Sequence, residues 1–269
     1  MLFYHAGTHG LDDGSNDVLF KHGLRSRLLA YGAIPDQHQQ FWLDDAPDNA
    51  QVFIDSGAFS AHTQGKPVSL TKYCEFLTKY PKVSEYAALD VIGDPMLSRC
   101  NTEEMEVRGF KPIPTFHRGS GWKELQRIAE RYERFALGGV ASEGSTRGVL
   151  QPWLDGCFYW IKKHWPRRVH GFGIQAQWAI ERYPFYSCDS TNVLKCAAFG
   201  DIIRFRNGRI SIRDWEEDAK KTFDGGIMGG PNGERPYLER QLANLEALNG
   251  LRVYVTELWD KRGVTWHEK

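Results

Sequence analysis

The chain has 269 residues, with 34 basic and 34 acidic side chains and a formal net charge of zero. Hydrophobic residues make up 41% and charged residues 25%, which is ordinary globular usage and excludes a disordered chain, a collagen-like fibre and a small disulfide scaffold. The balanced charge also excludes a polycation that binds nucleic acid by bulk charge, although it is compatible with a local basic groove. A chain of this length suits one α/β barrel or two small domains.

The N-terminal residues MLFYHAG form a predicted strand and turn, not a signal peptide, and no run of 18 apolar residues predicts a membrane span. The five cysteines form no CxxC pair, and Cys188 and Cys196 are not spaced like zinc ligands. An odd number of widely spaced cysteines is typical of reduced thiols. We therefore expect a cytoplasmic protein without a metal site or a membrane partner.

Short apolar runs alternate along the chain with segments of helical periodicity. The predicted strands are Leu2–His5, Val52–Asp55, Tyr86–Asp90, Pro112–Phe116, Phe135–Val140, Val169–Ile174, Phe185–Ser187 and Arg252–Leu258. The predicted helices follow Ser69, then span Met96–Val107, Trp122–Tyr132, Val149–Trp165 and Tyr237–Leu248. The apolar runs are continuous, as in parallel strands that are covered on both faces.

Repeated strand–helix units in this number predict an α/β fold, and specifically a (β/α)₈ TIM barrel that fills a single domain over residues 1–269. The barrel core is expected at about 1–200, and residues 201–269 form a C-terminal closing segment, in which Arg235 and Tyr254–Trp266 close the barrel. An open doubly wound sheet is the alternative, although no GxGxxG follows the first strand. The segment Asp224–Gly233 is a glycine-rich loop.

Polar side chains follow several of these strands at the ends where barrel enzymes place their catalytic groups. Asp55, Asp90 and Asp189 come at three strand ends, and His117 follows a fourth. Each aspartate alone could be a helix cap or turn residue. Together they predict glycosyl chemistry, in which one carboxylate attacks an anomeric carbon and another manages the proton of the exchanged group.

Four strings carry a family resemblance: FIDSGAFS (53–60), YAALDVIGDP (86–95), ALGGVASEG (136–144), and VHGFGI (169–174) followed by FYSCDST (185–191). They occur in the order of the tRNA-guanine transglycosylase family and resemble its DSGGFQ, ALGGLAVGE, HLMGVG and FDS/FDC segments. The resemblance implies a (β/α)₈ barrel that exchanges a guanine in a polynucleotide for a free 7-deazaguanine, without a cofactor. The free base and the polynucleotide are then its two partners.

The resemblance also assigns roles to residues. Asp189 matches the aspartate that attacks C1′ and forms a covalent glycosyl-enzyme, and Asp55 matches the general acid/base. Asp90 matches the carboxylate that reads the purine edge. The other residues that the resemblance places around the base are Ser56, Gly57, Phe59, His117, Gly138, Gly139, Gly171 and Gly173. His117 departs from the family, which commonly has Gln near this position.

The sequence also departs from the tRNA enzymes, because it lacks their C-terminal CxCxxC…His zinc module and has no cysteine after Cys196. It is more similar to the compact, zinc-free DNA transglycosylases of phages and bacterial genomic islands, which would place it in a host cytoplasm if it is phage-encoded. DNA is then the expected partner, with its guanine nucleotide flipped out or single-stranded. The expected DNA-binding residues are Lys195, Arg204, Arg206, Arg209 and Arg213, of which the four arginines could equally form a solvated hairpin.

Three alternative functions stay open. They are a zinc-free enzyme acting on tRNA, a non-catalytic barrel that binds a nucleobase or nucleic acid, and an N-glycosidase that releases guanine to water.

Of the remaining polar and aromatic residues, His5 and His9 are candidates for the barrel mouth, and His164 and His170 are predicted to be ordinary packing residues. Trp259 and Trp266 are predicted to belong to the core. The sequence leaves open which 7-deazaguanine enters and the oligomeric state.

Overall fold

The computed structural model describes residues 1–7, 13–32, 40–45, 47–139, 146–214 and 236–266, with the backbone alone at 13–15, 40, 214 and 236. Several predicted features lie outside the described residues: His9, Arg235, the glycine-rich segment Asp224–Gly233, and residues 140–144 of the ALGGVASEG string.

Eight parallel strands form one curled sheet in the order β4-β3-β2-β1-β8-β7-β6-β5. The strands are β1 Leu2–Ala6, β2 Ser26–Ala30, β3 Gln51–Asp55, β4 Glu85–Tyr86, β5 Thr115–His117, β6 Arg134–Gly138, β7 Arg168–Gly171 and β8 Ser187–Ser190. A parallel bridge between Ala87 and Ile113 joins the two edge strands. The sheet is therefore a (β/α)₈ barrel, as the sequence predicts.

Helices cover the outside of the barrel. They are α1 Asp13–Lys21, α2 Gln40–Leu43, α3 Ala58–Thr63, α4 Leu70–Lys79, α5 Pro95–Val107, α6 Trp122–Arg131, α7 Arg147–Ile161, α8 Gln177–Arg182, α9 Asn192–Ala198 and α10 Pro236–Lys261. The helix starts follow sequence signals: Ser69 caps α4 by accepting from the Lys72 N–H, and Asp94 caps α5 by accepting from the Leu97 N–H at 2.9 Å. Trp259 is buried in α10, and its indole N–H donates to the Ile180 carbonyl, which confirms its place in the core.

The alternation of residues along the strands divides the core into two parts. Residues that face into the barrel form a small apolar cluster: Tyr4, Ala6, Leu28, Phe53, Ala87, Ile113 and Ala136. Their neighbours in sequence, among them Phe3, Leu29 and Ile54, belong to the larger layer that includes buried residues of the helices. Because successive side chains of a strand point to opposite faces, this alternation also decides which polar residues enter the barrel.

The predicted strands differ from the observed ones in two places. The segment Arg252–Leu258 is helical, within α10, because Leu251, Val255 and Trp259 recur every four residues and are all buried. Strand β2 has no counterpart among the predicted strands, because Ser26 and Arg27 interrupt the apolar run that a buried strand normally has. Arg27 is nevertheless fully buried and donates to the Gly7 carbonyl.

The observed boundaries of one helix and one strand differ from the predicted ones. The helix predicted over Val149–Trp165 begins at Arg147 and ends at Ile161, and a 3₁₀ turn continues to His164. The strand predicted over Phe185–Ser187 is β8, so Asp189 belongs to the strand itself rather than to the loop after it. Among the described residues, no helix combines the length and the apolar character that crossing a membrane requires.

After the barrel strands, the chain forms an antiparallel hairpin of β9 (Asp201–Arg206) and β10 (Arg209–Asp214). Its turn is Asn207-Gly208, in which both residues have positive φ, as a two-residue hairpin turn requires. This confirms that the basic stretch is a hairpin. The proposed boundary between a core at 1–200 and a closing segment stays a prediction.

Candidate active site at the carboxyl ends of the strands

The three aspartates that the sequence places at strand ends share the carboxyl-terminal rim of the barrel. Asp55 ends β3, Asp90 follows β4, and Asp189 lies in β8. Two of them are not helix caps, because α5 is capped by Asp94 and the N-cap of α9 is Thr191. Helix capping therefore does not explain why aspartates stand at positions 90 and 189.

Asp55 is held in an environment that favours its protonated form. Burial raises its pKa to about 6, and the negative charge of Asp90, and more weakly that of Asp189, adds to this rise, while the Gly57 N–H and His117 oppose it. Its Oδ1 accepts the Gly57 N–H at 3.4 Å. A carboxyl with such a pKa exchanges protons near neutral pH, as a general acid/base must.

The position of Asp55 depends on a close backbone approach at Gly57, which ends the turn from β3 into α3. Gly57 has a φ of 72°, and a Cβ atom there would lie 2.3 Å from the Tyr31 carbonyl oxygen.

Gly57→Ala is expected to destabilise the fold by about 3 kcal/mol or more, because the backbone strain and the steric collision add. Urea unfolding measures this. Gly65→Ala is the matched control, since its φ is 65° but nothing lies within 4 Å, and it should cost only about 1 kcal/mol. Equal costs would contradict the collision.

Asp90 pairs with His117 from the next strand, at 3.0 Å between Oδ2 and Nε2. Burial acts to lower the pKa of His117, but the Asp90 carboxylate outweighs it and, with help from Asp55, raises that pKa above its ordinary value. Asp90 lines two clefts of about 280 and 300 Å³, and His117 lines the first of them. The pair is thus reachable by a ligand at the edge of the rim.

The absence of a side chain at Gly138 leaves room for the imidazole of His117. A Cβ atom at Gly138 would lie 2.9 Å from a methyl group of Thr115 and 3.1 Å from Nδ1 of His117. The Gly138-Gly139 pair thus has a packing function beside His117, whatever contact it makes with a base. Gly139 itself has a φ of 82°.

Asp189 is buried at the end of β8 and is held by a loop from the neighbouring strand. Its Oδ1 accepts the Gly173 N–H at 2.7 Å. The same oxygen lies 3.5 Å from Nε2 of His170, which projects from β7. A buried carboxylate with a backbone donor on one oxygen is held in a defined orientation.

His170, which the sequence predicts to be an ordinary packing residue, is packed among aromatic rings inside the barrel and also lies beside polar groups. The histidine is completely buried and faces the barrel interior, where its Nδ1 lies 2.9 Å from Oγ of Ser187. Burial lowers its pKa, so the ring is neutral, although Asp189 acts in the opposite direction. The signal in the sequence was alternation: Val169 faces the helices, so His170 must face into the barrel.

The remaining predicted base-binding residues are spread around Asp55 and Asp189. Ser56 is fully buried, and its Oγ has no hydrogen-bond partner within the described part of the chain. Phe59 lies in α3 and is 48% exposed. Gly171 ends β7, in the segment that leads to Gly173. Near the mouth, His5 is buried, and burial together with Arg27 and Arg252 lowers its pKa to about 3, so it is neutral.

The predicted DNA-binding residues lie on the hairpin and on α9. Lys195 of α9 and Arg206, Arg209 and Arg213 are exposed, while Arg204 is half-buried. Arg206 and Arg209 are direct cross-strand partners, an arrangement of like charges that costs stability. Gln177, at the start of α8, donates to the Gly208 carbonyl and accepts the Ile210 N–H. The hairpin is therefore docked on the helix that begins beside the loop holding Asp189.

Comparison of the sequence with protein-family models gives no match. Comparison with curated proteins gives no match either. Among solved structures, thiamine phosphate pyrophosphorylase from Bacteroides thetaiotaomicron is similar, with a TM-score of 0.38 and 11% sequence identity over 93% of this chain and 98% of that chain. The function of the present chain therefore has to be inferred from its own residues and their geometry.

Proposed function

We propose that this protein is a base-exchange transglycosylase that replaces guanine in DNA with a free 7-deazaguanine derivative. The observation that carries the proposal is the pair Asp55 and Asp189 at one barrel rim, in different environments. Burial raises the pKa of Asp55 to about 6, and its backbone hydrogen bond from Gly57 is long at 3.4 Å, whereas Asp189 accepts the Gly173 N–H at 2.7 Å. Two carboxylates in such different surroundings are suited to divide acid/base and nucleophilic work.

In the proposed reaction, a carboxylate oxygen of Asp189 attacks C1′ of the guanosine nucleotide while the bond from C1′ to N9 breaks. Protonated Asp55 gives its proton to the departing guanine, and a glycosyl ester on Asp189 remains. The incoming base then attacks C1′ through N9, loses its N9 proton to Asp55, and releases Asp189. Two displacements at C1′ retain the configuration, and the protons balance without another reactant.

The choice of guanine and DNA rests on the four-string resemblance and on the basic hairpin. A stacked guanosine does not expose C1′ to in-line attack, so the nucleotide must be flipped or the strand must be single. Asp90 and His117 are the proposed readers of the base edge, and Lys195 with the hairpin arginines is the proposed contact to phosphates. In this view, the cost of facing Arg206 with Arg209 is offset when phosphate lies between them.

The deciding experiment supplies the purified protein with a 7-deazaguanine base and with duplex DNA, single-stranded DNA or tRNA, each in a separate reaction. Nucleoside mass spectrometry is expected to find the deazaguanosine in DNA, together with one equivalent of released guanine. Incorporation into tRNA alone would identify the RNA enzyme. Released guanine without incorporation would identify an N-glycosidase, and neither product would identify a non-catalytic barrel.

The basic hairpin gives a second, independent prediction. The double variant Arg206→Gln/Arg209→Gln is expected to weaken DNA binding by about 10-fold and to reduce the slope of log K against log [salt] by about 2, because two phosphate contacts are lost. Fluorescence anisotropy over a salt series measures both quantities.

The control for the hairpin variant removes the same charge elsewhere. Lys82 and Lys111 are exposed and directly precede the segments that enter β4 and β5, at the opposite end of the barrel. Lys82→Gln/Lys111→Gln should leave the affinity within about 2-fold, since distant charges are screened. Equal effects of the two double variants would show that only net charge matters, and would contradict a specific hairpin surface.

A further inference from the structure

We propose that His170 is a positioning residue for Asp189, and that Ser187 and Arg134 fix the imidazole in the tautomer that donates to this carboxylate. This inference rests on the proposed function, because it takes Asp189 to be the nucleophile. It adds a buried polar chain inside the barrel that reaches from the rim to the opposite ends of the strands.

The chain begins at the amino-terminal ends of the strands. Glu85 of β4 accepts the Tyr4 hydroxyl at 2.7 Å and forms an ion pair with Arg134 of β6. Arg134 also lies over the ring of Tyr186, 4.4 Å from its centroid. The guanidinium is thus fixed between a carboxylate and an aromatic face, and an arginine remains charged even when buried.

The next link sets the direction of the hydrogen bonds. Nη2 of Arg134 donates to Oγ of Ser187 at 3.4 Å, and the same oxygen lies 2.9 Å from Nδ1 of His170. Since arginine can only donate, Ser187 accepts from it and has its own hydrogen free for Nδ1. Nδ1 is therefore the acceptor of the imidazole, and the ring proton resides on Nε2.

The last link reaches the proposed nucleophile. Nε2 of His170 is buried and makes no hydrogen bond within the described residues, and its acidic neighbour is Oδ1 of Asp189, 3.5 Å away. Phe53 and Phe172 pack edge-on against the imidazole, with centroids 4.8 and 4.5 Å away, so the ring has little freedom to turn. Oδ1 thus accepts the Gly173 N–H, and the Nε2 nitrogen of His170 needs only a small shift to donate to the same oxygen, which leaves Oδ2 for attack at C1′.

The structure therefore assigns His170 a role in orienting the carboxylate rather than in proton transfer. A neutral, buried imidazole with a fixed tautomer cannot turn and accept a proton during the reaction. Its contribution is to orient the Asp189 carboxyl group before substrate arrives, which lowers the reorganisation needed for the chemical step.

The test compares two variants of His170 that differ in one donor. His170→Met fills a similar volume without an N–H, whereas His170→Gln keeps an N–H that can reach the position of Nε2. His170→Met is expected to slow formation of the trapped glycosyl-enzyme by about 10- to 100-fold, the factor that a hydrogen bond to a charged group supplies. KM for DNA should stay within about 3-fold, and His170→Gln should restore most of the lost rate.

A matched pair of serine variants keeps the test decisive even if His170→Met fails to fold. Ser187→Ala removes the group that fixes the tautomer and should slow adduct formation by about 3- to 10-fold. Ser26 is another buried serine at the start of a barrel strand, and its Oγ binds Gln51 instead. Ser26→Ala should therefore leave the rate within about 2-fold of the wild type.

Nitrogen NMR provides a readout that needs no substrate. In protein labelled with ¹⁵N-histidine, the spectrum at pH 7 is expected to show His170 as the neutral Nε2–H tautomer, identified by the signals missing from His170→Gln. A proton on Nδ1, or equal rates for His170→Met, His170→Gln and the wild type, would overturn the assignment while leaving the exchange activity intact. A wild-type protein that neither exchanges guanine nor forms an adduct would instead refute the proposed function, and with it the positioning role of His170.

Discussion

Replacement of Asp189 by asparagine is expected to abolish the covalent glycosyl-enzyme and to lower guanine exchange by about 10⁴-fold or more, because the amide cannot attack C1′. The fold should persist, since an asparagine at this position still accepts the Gly173 N–H through its side-chain oxygen. Mass spectrometry of the acid-quenched protein, incubated with DNA but without the second base, measures the adduct directly.

The control for Asp189→Asn is Asp94→Asn, which makes the same chemical change on the rim side of the barrel. Asp94 caps α5 through the Leu97 N–H, and asparagine caps helices as well as aspartate does. Activity and stability should be unchanged. An Asp189→Asn protein that still forms the adduct would exclude Asp189 as the nucleophile, whatever the overall activity of the wild type.

Replacement of Asp55 by asparagine is expected to reduce exchange and, at the same time, to stabilise the protein above pH 6. Activity should fall by about 10²- to 10⁴-fold, the usual contribution of a general acid/base. The stabilisation follows from the pKa of about 6 in the folded protein against 3.8 for an ordinary aspartate. Opposite changes of activity and stability are typical of groups that are buried for function.

The sign of this stability change depends on pH. Below about pH 4, Asp55 is protonated in both the folded and the unfolded state and costs nothing. As the pH rises from about 4 to about 6, the unfolded chain ionises first, so the free energy of unfolding falls. Above pH 6 the full cost of about 1–3 kcal/mol is present, and Asp55→Asn should recover it. Urea unfolding of both proteins at pH 4 and pH 7.5 measures the difference.

Asp44→Asn is the control for this pH effect. Asp44 is exposed, so the substitution removes the same charge without relieving burial, and stability should change by less than about 0.5 kcal/mol at either pH. If Asp55→Asn gives the same small difference at both pH values, Asp55 is not held in its protonated form, and another group must supply the proton.

The local sequence was sufficient for most of the barrel. Continuous apolar runs such as Val52–Ile54 and Phe135–Leu137 indicate strands that are buried on both faces. Capping residues such as Ser69 and Asp94 define helix starts through hydrogen bonds made within one turn. These signals act over a few residues, so they can be read without knowing the rest of the fold. They fail at β2, where a buried arginine replaces an apolar residue, and in α10, where an aromatic and β-branched segment is helical.

The candidate site was predictable only in part. Strand ends in the sequence single out Asp55, Asp90 and Asp189, because a parallel barrel brings all its carboxyl ends to one rim. The pairing of Asp90 with His117, and of Asp189 with Gly173, depends on which strands are neighbours and on their register. His170 looked like packing because its partners, Ser187 and Asp189, are 17 and 19 positions away in the chain.

By itself, the sequence determined the alternation of strands and helices and the rim position of three carboxylates. Only the tertiary structure decided the pKa of Asp55 and the orientation of Asp189. The pKa of Asp55 depends on burial and on charges from β4 and β8, and the tautomer of His170 depends on an arginine that β6 supplies. Charge interactions and hydrogen bonds act through space over a few ångströms, and in a barrel those distances are set by the order of the strands.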